Sequence, residues 1–305
     1  MLSELLRPLA PDLAGAFTGV PLPVALSAEA AVLSGGGDPG NPAFADETAR
    51  LVILVGPEAT RVAPAVHRLA HALGAPVANT WGAKGIYPWN DPHHMGTCGL
   101  QAEDFELLGF ERFDFVVAIG IDEAESPLAC LTMAPVILLP PNTQILDELT
   151  QRLPVRELVA TENELYRRIA AIAQPGYVDD SFPRHPARAV MDLEQSLGPT
   201  TQVTAQPGVA GLWVARTFPT DRMGSVIVPA QDRPGIGAAV GLVSAAAGTD
   251  TVCVVHGPVD DVTAEVMRVA AHHELTLRLE VWDDDVDWSR TDDLIAAAGS
   301  VVAWT

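Results

Sequence analysis

Apolar residues follow two series of alternating strand-like and helix-like patterns along the chain. In the first series, continuous apolar runs predict buried parallel strands at 51–56, 75–81, 114–120 and 134–140. Residues 60–73 carry apolar positions at helical spacing, and Gly74 supplies a stop signal. Residues 101–112 also have a helical pattern, whereas 82–98 predict a loop rich in Gly, Pro and His.

The second series follows residues 174–186, which contain three prolines and a glycine and form the best linker in the chain. Before this linker, Thr161 and Glu164 form a capping box that opens a helix to about Ala173. Beyond it, strands are expected at 200–205, 224–229, 251–257, 275–282 and 301–304. Helices are expected at 187–197, 207–217, 234–248, 262–274 and 291–299.

Strands that alternate with helices imply right-handed crossovers and parallel sheets. Because the series occurs twice, we predict an α/β protein with two doubly wound parallel-sheet domains. The expected division is an N-terminal segment, a first domain, a linker and a second domain, at 1–47, 48–173, 174–186 and 187–305. Ligands bind beyond the carboxyl ends of such strands, which directs attention to loops 56–60, 82–98, 120–128, 229–237, 256–262 and 282–290.

Composition narrows the classes of partner. The 305 residues are 48% hydrophobic and carry a formal net charge of −21. Nucleic acids and anionic membranes need a basic footprint, so neither is expected as a partner. The sequence shows neither an apolar run of membrane-spanning length nor a signal peptide, so we expect a cytoplasmic location. Cys98, Cys130 and Cys253 have no zinc or redox spacing and are expected to be reduced thiols.

Two glycine-containing segments of the second series are candidates for anion binding. Gly235 and Gly237 precede a helix of small residues, whose N terminus could hold an anion or could simply pack closely on the sheet. The strand-end triplet 256–258 and Asp260 could form an altered metal site with the acidic segment 283–287. The competing interpretation is a plain turn followed by a solvated acidic loop.

Two stretches resemble thiamine-diphosphate-dependent enzymes of the acetolactate synthase and 2-oxo acid decarboxylase superfamily. The first, about 48–173, carries LVILVGPEA, the loop WGAKGIYP and FDFVVAIGID, and is similar to the family's central domain. The second, about 200–304, is similar to the C-terminal domain that grips the diphosphate. The resemblance implies thiamine diphosphate and Mg²⁺ as cofactors, with FAD or ADP in the central domain as an alternative.

The cofactor signature of that family is altered in this chain. Where the family has Gly-Asp-Gly, His256-Gly257-Pro258 stands, and Asp284 falls near the position of a second Mg²⁺ ligand, an Asn. The resemblance implies a cofactor-binding set of Gly235, Gly237, His256, Gly257 and Asp260, with Asp284 as the metal ligand. Segment 1–47 is too short for the family's pyrimidine domain, so a separate pyrimidine-domain subunit is one expected partner. Family members assemble as dimers or tetramers, so the resemblance also implies a homo-oligomer.

The loops of the first domain offer a further set of candidates. Gly56, Trp81, Gly82, Gly96 and Thr97 follow or flank predicted strands. Lys84 could meet a phosphate, but we expect it to form a structural ion pair. The adjacent His93 and His94 are not expected to share a metal ion.

Three hypotheses of function follow. The favoured one is a degenerate or split thiamine-diphosphate-enzyme homologue that acts as a partner or non-catalytic subunit of a decarboxylase or carboligase. The second is a protein that binds a nucleotide or another small molecule, and the third is a structural pseudoenzyme without a ligand. No Gly-x-Ser-x-Gly, P-loop or HExxH motif supports a hydrolase.

Overall fold

The apolar runs of the first series form one parallel sheet in the computed structural model, which describes residues 48–126, 131–159 and 163–304. Within these ranges its strands lie in the order β3-β2-β1-β4-β5. They are β1 (Leu51–Val55), β2 (Val77–Thr80), β3 (His94–Cys98), β4 (Phe115–Ile119) and β5 (Val136–Leu139). The central strand β1 is buried throughout, as its continuous apolar run requires.

Helices cover both faces of this sheet. They are α1 (Ala63–Leu73), the short α2 (Asp104–Leu107), α3 (Thr143–Arg152) and α4 (Glu164–Tyr177). Leu51 and Ile53 pack in the same cluster as residues of α1 and α3, whereas Val52 and Leu54 belong to the opposite core. Gly74 ends α1 in a left-handed conformation with φ of 57°.

The second series forms another all-parallel sheet, in the order β7-β6-β8-β9 within the described residues. Its strands are β6 (Gln202–Ala205), β7 (Val226–Ile227), β8 (Thr251–His256) and β9 (Leu277–Trp282). Its helices are α5 (Pro186–Ser196), α6 (Val209–Thr217), α7 (Ile236–Ala246), α8 (Asp261–His272) and α9 (Thr291–Ala298). The predicted fold class, two parallel-sheet α/β units, is confirmed.

A shared core and a buried ion pair join the two units. One hydrophobic cluster contains Val52 and Leu54 of the first sheet together with Val203 and Val252 of the second. On α6, the Arg216 guanidinium is 2% exposed and donates to a carboxylate oxygen of Asp104, which is fully buried. Arg216 also donates to Gln101 Oε1 at 3.1 Å and to the Thr97 carbonyl at 2.8 Å.

The structure differs from three predicted elements and adds one that was not predicted. Part of the predicted loop 82–98 is the edge strand β3, whose His, Gly and Thr residues break the apolar pattern. The predicted helix 101–112 is interrupted at Gly109, which has φ of 74°. The predicted strand 301–304 reduces to one antiparallel bridge of Val301, which crosses to Gln101 of the first unit. α3 follows β5 without having been predicted.

The start and the end of α4 also differ. Asn163 caps α4, because its side chain accepts from the Tyr166 amide, whereas the predicted cap Thr161 lies outside the described residues. The helix continues to Tyr177, into the predicted linker 174–186. Only residues 178–185 separate α4 from α5, and the two helices pack against each other.

Cys98 and Cys253 are buried free thiols, as expected, and Cys130 lies outside the described residues, as does segment 1–47. None of the helices within the described ranges combines the length and the apolar character that a bilayer span demands.

Candidate functional site

The residues predicted to bind the cofactor lie at the carboxyl edge of the second sheet. Gly235 precedes α7, His256 ends β8, Asp260 precedes α8, and Asp284 follows β9. The fold therefore brings these segments to one edge, as the strand pattern requires. Asp260 and His256, however, make contacts within the fold, whereas Asp284 is exposed.

Asp260 caps the N terminus of α8. Its Oδ1 accepts from the Thr263 amide at 2.9 Å, and its Oδ2 accepts from Thr263 Oγ1 at 2.8 Å. A carboxylate before a helix commonly satisfies the free amides of the first turn in this way. Both oxygens of Asp260 thus already have a donor within its own helix.

The end of β8 has no carboxylate of its own at Gly257. A Cβ atom added there would lie 2.8 Å from Asp283 Cγ, so the Asp283 side chain fills the adjacent space. His256 is exposed, and its ring makes an edge contact with Trp288 at 4.9 Å between centroids. Asp284 is exposed. Across the described ranges, no group of three or more His, Cys, Asp or Glu side chains could hold a metal ion.

The N terminus of α7 is covered by a glutamine from the end of β6. Gln206 Oε1 accepts from the Gly237 amide at 3.0 Å, and Gln206 Nε2 donates to the Arg233 carbonyl at 2.8 Å. A Cβ at Gly237 would lie 2.7 Å from the backbone nitrogen of Gln206. A Cβ at Gly235 would lie 2.5 Å from Val262 Cγ1. Close packing therefore accounts for both glycines.

These contacts do not fit a Mg²⁺–diphosphate group. The triplet has lost its acid, the nearby Asp260 is bonded to Thr263, and an amide side chain occupies the helix terminus that could face a phosphate. The strand pattern places these residues at the carboxyl edge of the second sheet, as the structure does. Sequence reasoning did not identify Gln206 as the residue that covers the N terminus of α7. Its position directly after β6 was the available signal.

The carboxyl edge of the first sheet is closed where its strand order reverses, between β1 and β4. A Cβ at Gly56 would lie 2.4 Å from the Gly120 carbonyl oxygen, and Gly120 has φ of 64°. The Gly56 amide donates to the Ile119 carbonyl at 3.0 Å. Such a reversal is where nucleotides commonly bind in open α/β sheets, but here the two loops touch each other.

Lys84 does not form the ion pair that we expected. Its side chain is 5% exposed and makes no salt bridge to any described carboxylate. Burial, with a smaller contribution from Arg216, lowers the pKa of Lys84 to about 7.

The neighbouring histidines contact aromatic residues. His94 Nε2 lies 2.6 Å from Tyr166 Oη, and the His93 ring stacks on Tyr87.

A cavity of about 820 Å³ lies between the two units. It is lined by residues that follow β3, β4 and β7 and by residues near the C terminus. Its lining includes Phe105, Glu125, Ser126, Met133, Asp232, Arg233 and Trp304. Loops 120–128 and 229–237, two of the predicted site loops, contribute to its wall. The volume is within the range typical of small-molecule sites, about 300–1,000 Å³.

Among the acidic residues in the cavity wall, Glu125 has the pKa that is shifted most. It is 6% exposed, and its Oε2 accepts from Thr80 Oγ1 and, at 3.2 Å, from the Gly82 amide. A Cβ at Gly82 would lie 2.0 Å from Glu125 Oε1, so glycine is required for this contact. Burial raises the pKa of Glu125 to about 7. Sequence reasoning missed Glu125, because three acids occur within 122–125 and nothing distinguishes the buried one.

Comparisons with known proteins agree with the central-domain resemblance. Residues 46–135 match the family described as thiamine pyrophosphate enzyme, central domain. A solved structure from Mycobacterium smegmatis, of a protein assigned to the thiamin diphosphate-dependent enzymes, is similar with a TM-score of 0.56 and 18% sequence identity. The similarity covers 78% of this chain and 51% of that chain, and at this identity it shows the fold alone.

This chain therefore spans about half the length of that bacterial protein. A search of curated proteins finds no match. The family match and the shared fold confirm the resemblance to the thiamine-diphosphate enzyme superfamily, through the central domain at residues 46–135.

Proposed function

We propose that this chain is a partner or non-catalytic subunit of a thiamine-diphosphate enzyme of the decarboxylase or carboligase type, similar to acetolactate synthase. In this role it provides scaffold domains and does not itself hold the Mg²⁺–diphosphate group. The observation that carries the proposal is the loss of the acid at Gly257 together with the engagement of Asp260 by Thr263. The match of residues 46–135 to the central domain supports the relationship to the family.

Charge at the second sheet's edge also supports this proposal. Asp283 and Asp284 are exposed beside Gly257, and they would repel an anionic diphosphate. Two arginines contact the same loop, but Arg184 is paired with Asp285, and Arg290 lies 3.4 Å from Asp287. These guanidinium groups are therefore already neutralised by the loop that they contact.

An activity assay on the full chain tests the non-catalytic role. Pyruvate, thiamine diphosphate and Mg²⁺ are added to the purified protein, and CO₂ release is measured beside an enzyme that has the complete signature. We expect no release above the protein-free background. Sustained turnover by this chain alone would refute the proposal.

A second candidate function is small-molecule binding without thiamine chemistry. The cavity between the two units, rather than the edge of the second sheet, is the observation that favours it.

A further inference from the structure

Polar groups in the wall of the interdomain cavity are only partly used by the fold. Both hydrogen bonds to the Glu125 carboxyl reach Oε2, and no described residue donates to Oε1. The neighbouring Ser126 is 2% exposed, and no residue that the structure describes is hydrogen-bonded to its hydroxyl. Because buried polar groups are nearly always hydrogen-bonded in native proteins, two adjacent groups with spare capacity indicate a place for a ligand's polar group.

Charge in the cavity wall favours a cation over an anion. The carboxyl groups of Glu125 and Asp232 line it together with one guanidinium, that of Arg233. The whole chain carries a net charge of −21, which adds a negative background. An anionic ligand would therefore meet a net repulsion, whereas an amine or amidine would be attracted.

Apolar side chains supply the rest of the wall. Phe105, Met133 and Trp304 all line the cavity. The Trp304 ring is fixed, because its indole N–H donates to the Pro229 carbonyl at 2.8 Å and its ring contacts Trp81 edge-on. Aromatic faces also attract organic cations, so these walls suit a ligand with an apolar body and one positive group.

We propose that the interdomain cavity binds a small amphiphilic organic cation, an amine or amidine with an apolar body. Its charged group hydrogen-bonds to Glu125 Oε1 and to Ser126 Oγ. Its body packs against Phe105, Met133 and Trp304. This inference is independent of the partner role, because the proposed ligand contacts include none of Gly257, Asp260 and Asp284.

The affinity for the cation should depend on pH, because binding is linked to the ionisation of Glu125. Burial raises the pKa of Glu125 to about 7, so part of the population is protonated at neutral pH. Charged or titratable groups near it are Asp122 and Glu123 on its own loop, Cys98 at the end of β3, and Asp232 and Arg233 across the cavity. A bound cation favours the ionised carboxylate, so its affinity rises between pH 6 and pH 8.

Isothermal titration calorimetry of the full chain with benzamidine, and with benzoate as the anion of similar shape, tests the proposal. We expect benzamidine to bind at least tenfold more tightly than benzoate. In Glu125→Gln the amide oxygen can still accept from Thr80 and Gly82, so the fold is retained while benzamidine affinity falls at least tenfold. Glu111→Gln removes the same charge from an exposed position outside the cavity and should leave the affinity unchanged.

Three results would overturn the proposal: no heat with millimolar benzamidine, equal affinity for benzoate, or undiminished binding by a folded Glu125→Gln. If Glu125→Gln does not fold, titrations of the wild-type chain decide instead. We expect benzamidine affinity to increase several-fold from pH 6 to pH 8. A flat or opposite dependence contradicts the role of Glu125.

Discussion

The carboxyl edge of the second sheet and the interdomain cavity use their polar groups in opposite ways. At the edge, Asp260 is hydrogen-bonded to Thr263 and the Gly237 amide to Gln206, so two of the residues that the family resemblance selects already have partners within the fold. In the cavity, Glu125 Oε1 and Ser126 Oγ make no hydrogen bond to the described residues. Sequence position thus indicates where a site can form, whereas the neighbouring side chains decide whether its groups are available.

The largest expected effect comes from breaking the buried ion pair beside the cavity. Arg216→Ala leaves the Asp104 carboxylate buried without its partner, which typically costs about 3–5 kcal/mol. Urea unfolding should show this loss, and benzamidine binding should decline because Gln101 in the cavity wall loses its bond to Arg216. The matched surface variant is Arg50→Ala, whose pair with Asp114 is half exposed and worth under about 1 kcal/mol. Equal losses in the two variants would contradict the structural role of Arg216.

Glu125 should make stability depend on pH. Its pKa is raised from 4.5 to about 7 in the folded protein, so the folded state holds more protons than the unfolded state between these values. Stability from this group is therefore present at low pH and lost as pH rises through 7, by on the order of 3 kcal/mol. The difference in unfolding free energy between Glu125→Gln and the wild type should change by this amount from pH 4.5 to pH 8. A constant difference would show that Glu125 titrates normally.

A smaller effect is expected where α7 approaches the second sheet. Gly237→Ala brings a methyl group to 2.7 Å from the Gln206 backbone nitrogen, and such overpacking typically costs about 1–3 kcal/mol. Thermal unfolding measures the loss. Gly198→Ala is the control, since its Cβ would approach only the Thr201 hydroxyl, at 3.2 Å. If Gly237→Ala is as stable as the control, α7 is not closely packed there.

The smallest effect distinguishes a helix cap from a ligand. Asp260→Ala removes both bonds to Thr263 and should lower stability by about 1 kcal/mol, as expected for an N-cap. Asp284→Ala changes an exposed side chain and should alter stability by less than about 0.5 kcal/mol. Neither substitution should change the response of unfolding to added Mg²⁺. Stabilisation by Mg²⁺ that disappears in Asp284→Ala would restore the metal-site hypothesis.

The sequence predicted most of the sheet architecture, because buried strands such as β1 and β8 are continuous apolar runs flanked by helical patterns. It failed where tertiary contacts replace local pattern. β3 is an edge strand with a Gly at its centre, and Val301 forms a β-bridge with Gln101 of the first unit instead of pairing within the second sheet.

The candidate site was less accessible to sequence reasoning than the fold. The resemblance located the carboxyl edge of the second sheet, but it could not show that Gln206 caps α7. The importance of Glu125 depends on the absence of a side chain at Gly82, 43 residues away. Contacts between such distant positions leave no local pattern, so the cavity became visible only in three dimensions.

Isothermal titration calorimetry of the full chain with thiamine diphosphate in the presence of Mg²⁺ is the most direct measurement. An enzyme with the complete Gly-Asp-Gly signature serves as the positive control. If the edge of the second sheet no longer holds the diphosphate, this chain should give no binding heat at millimolar ligand. Binding at micromolar affinity, about −8 kcal/mol, that disappears in Asp284→Ala would contradict the proposed loss of the site.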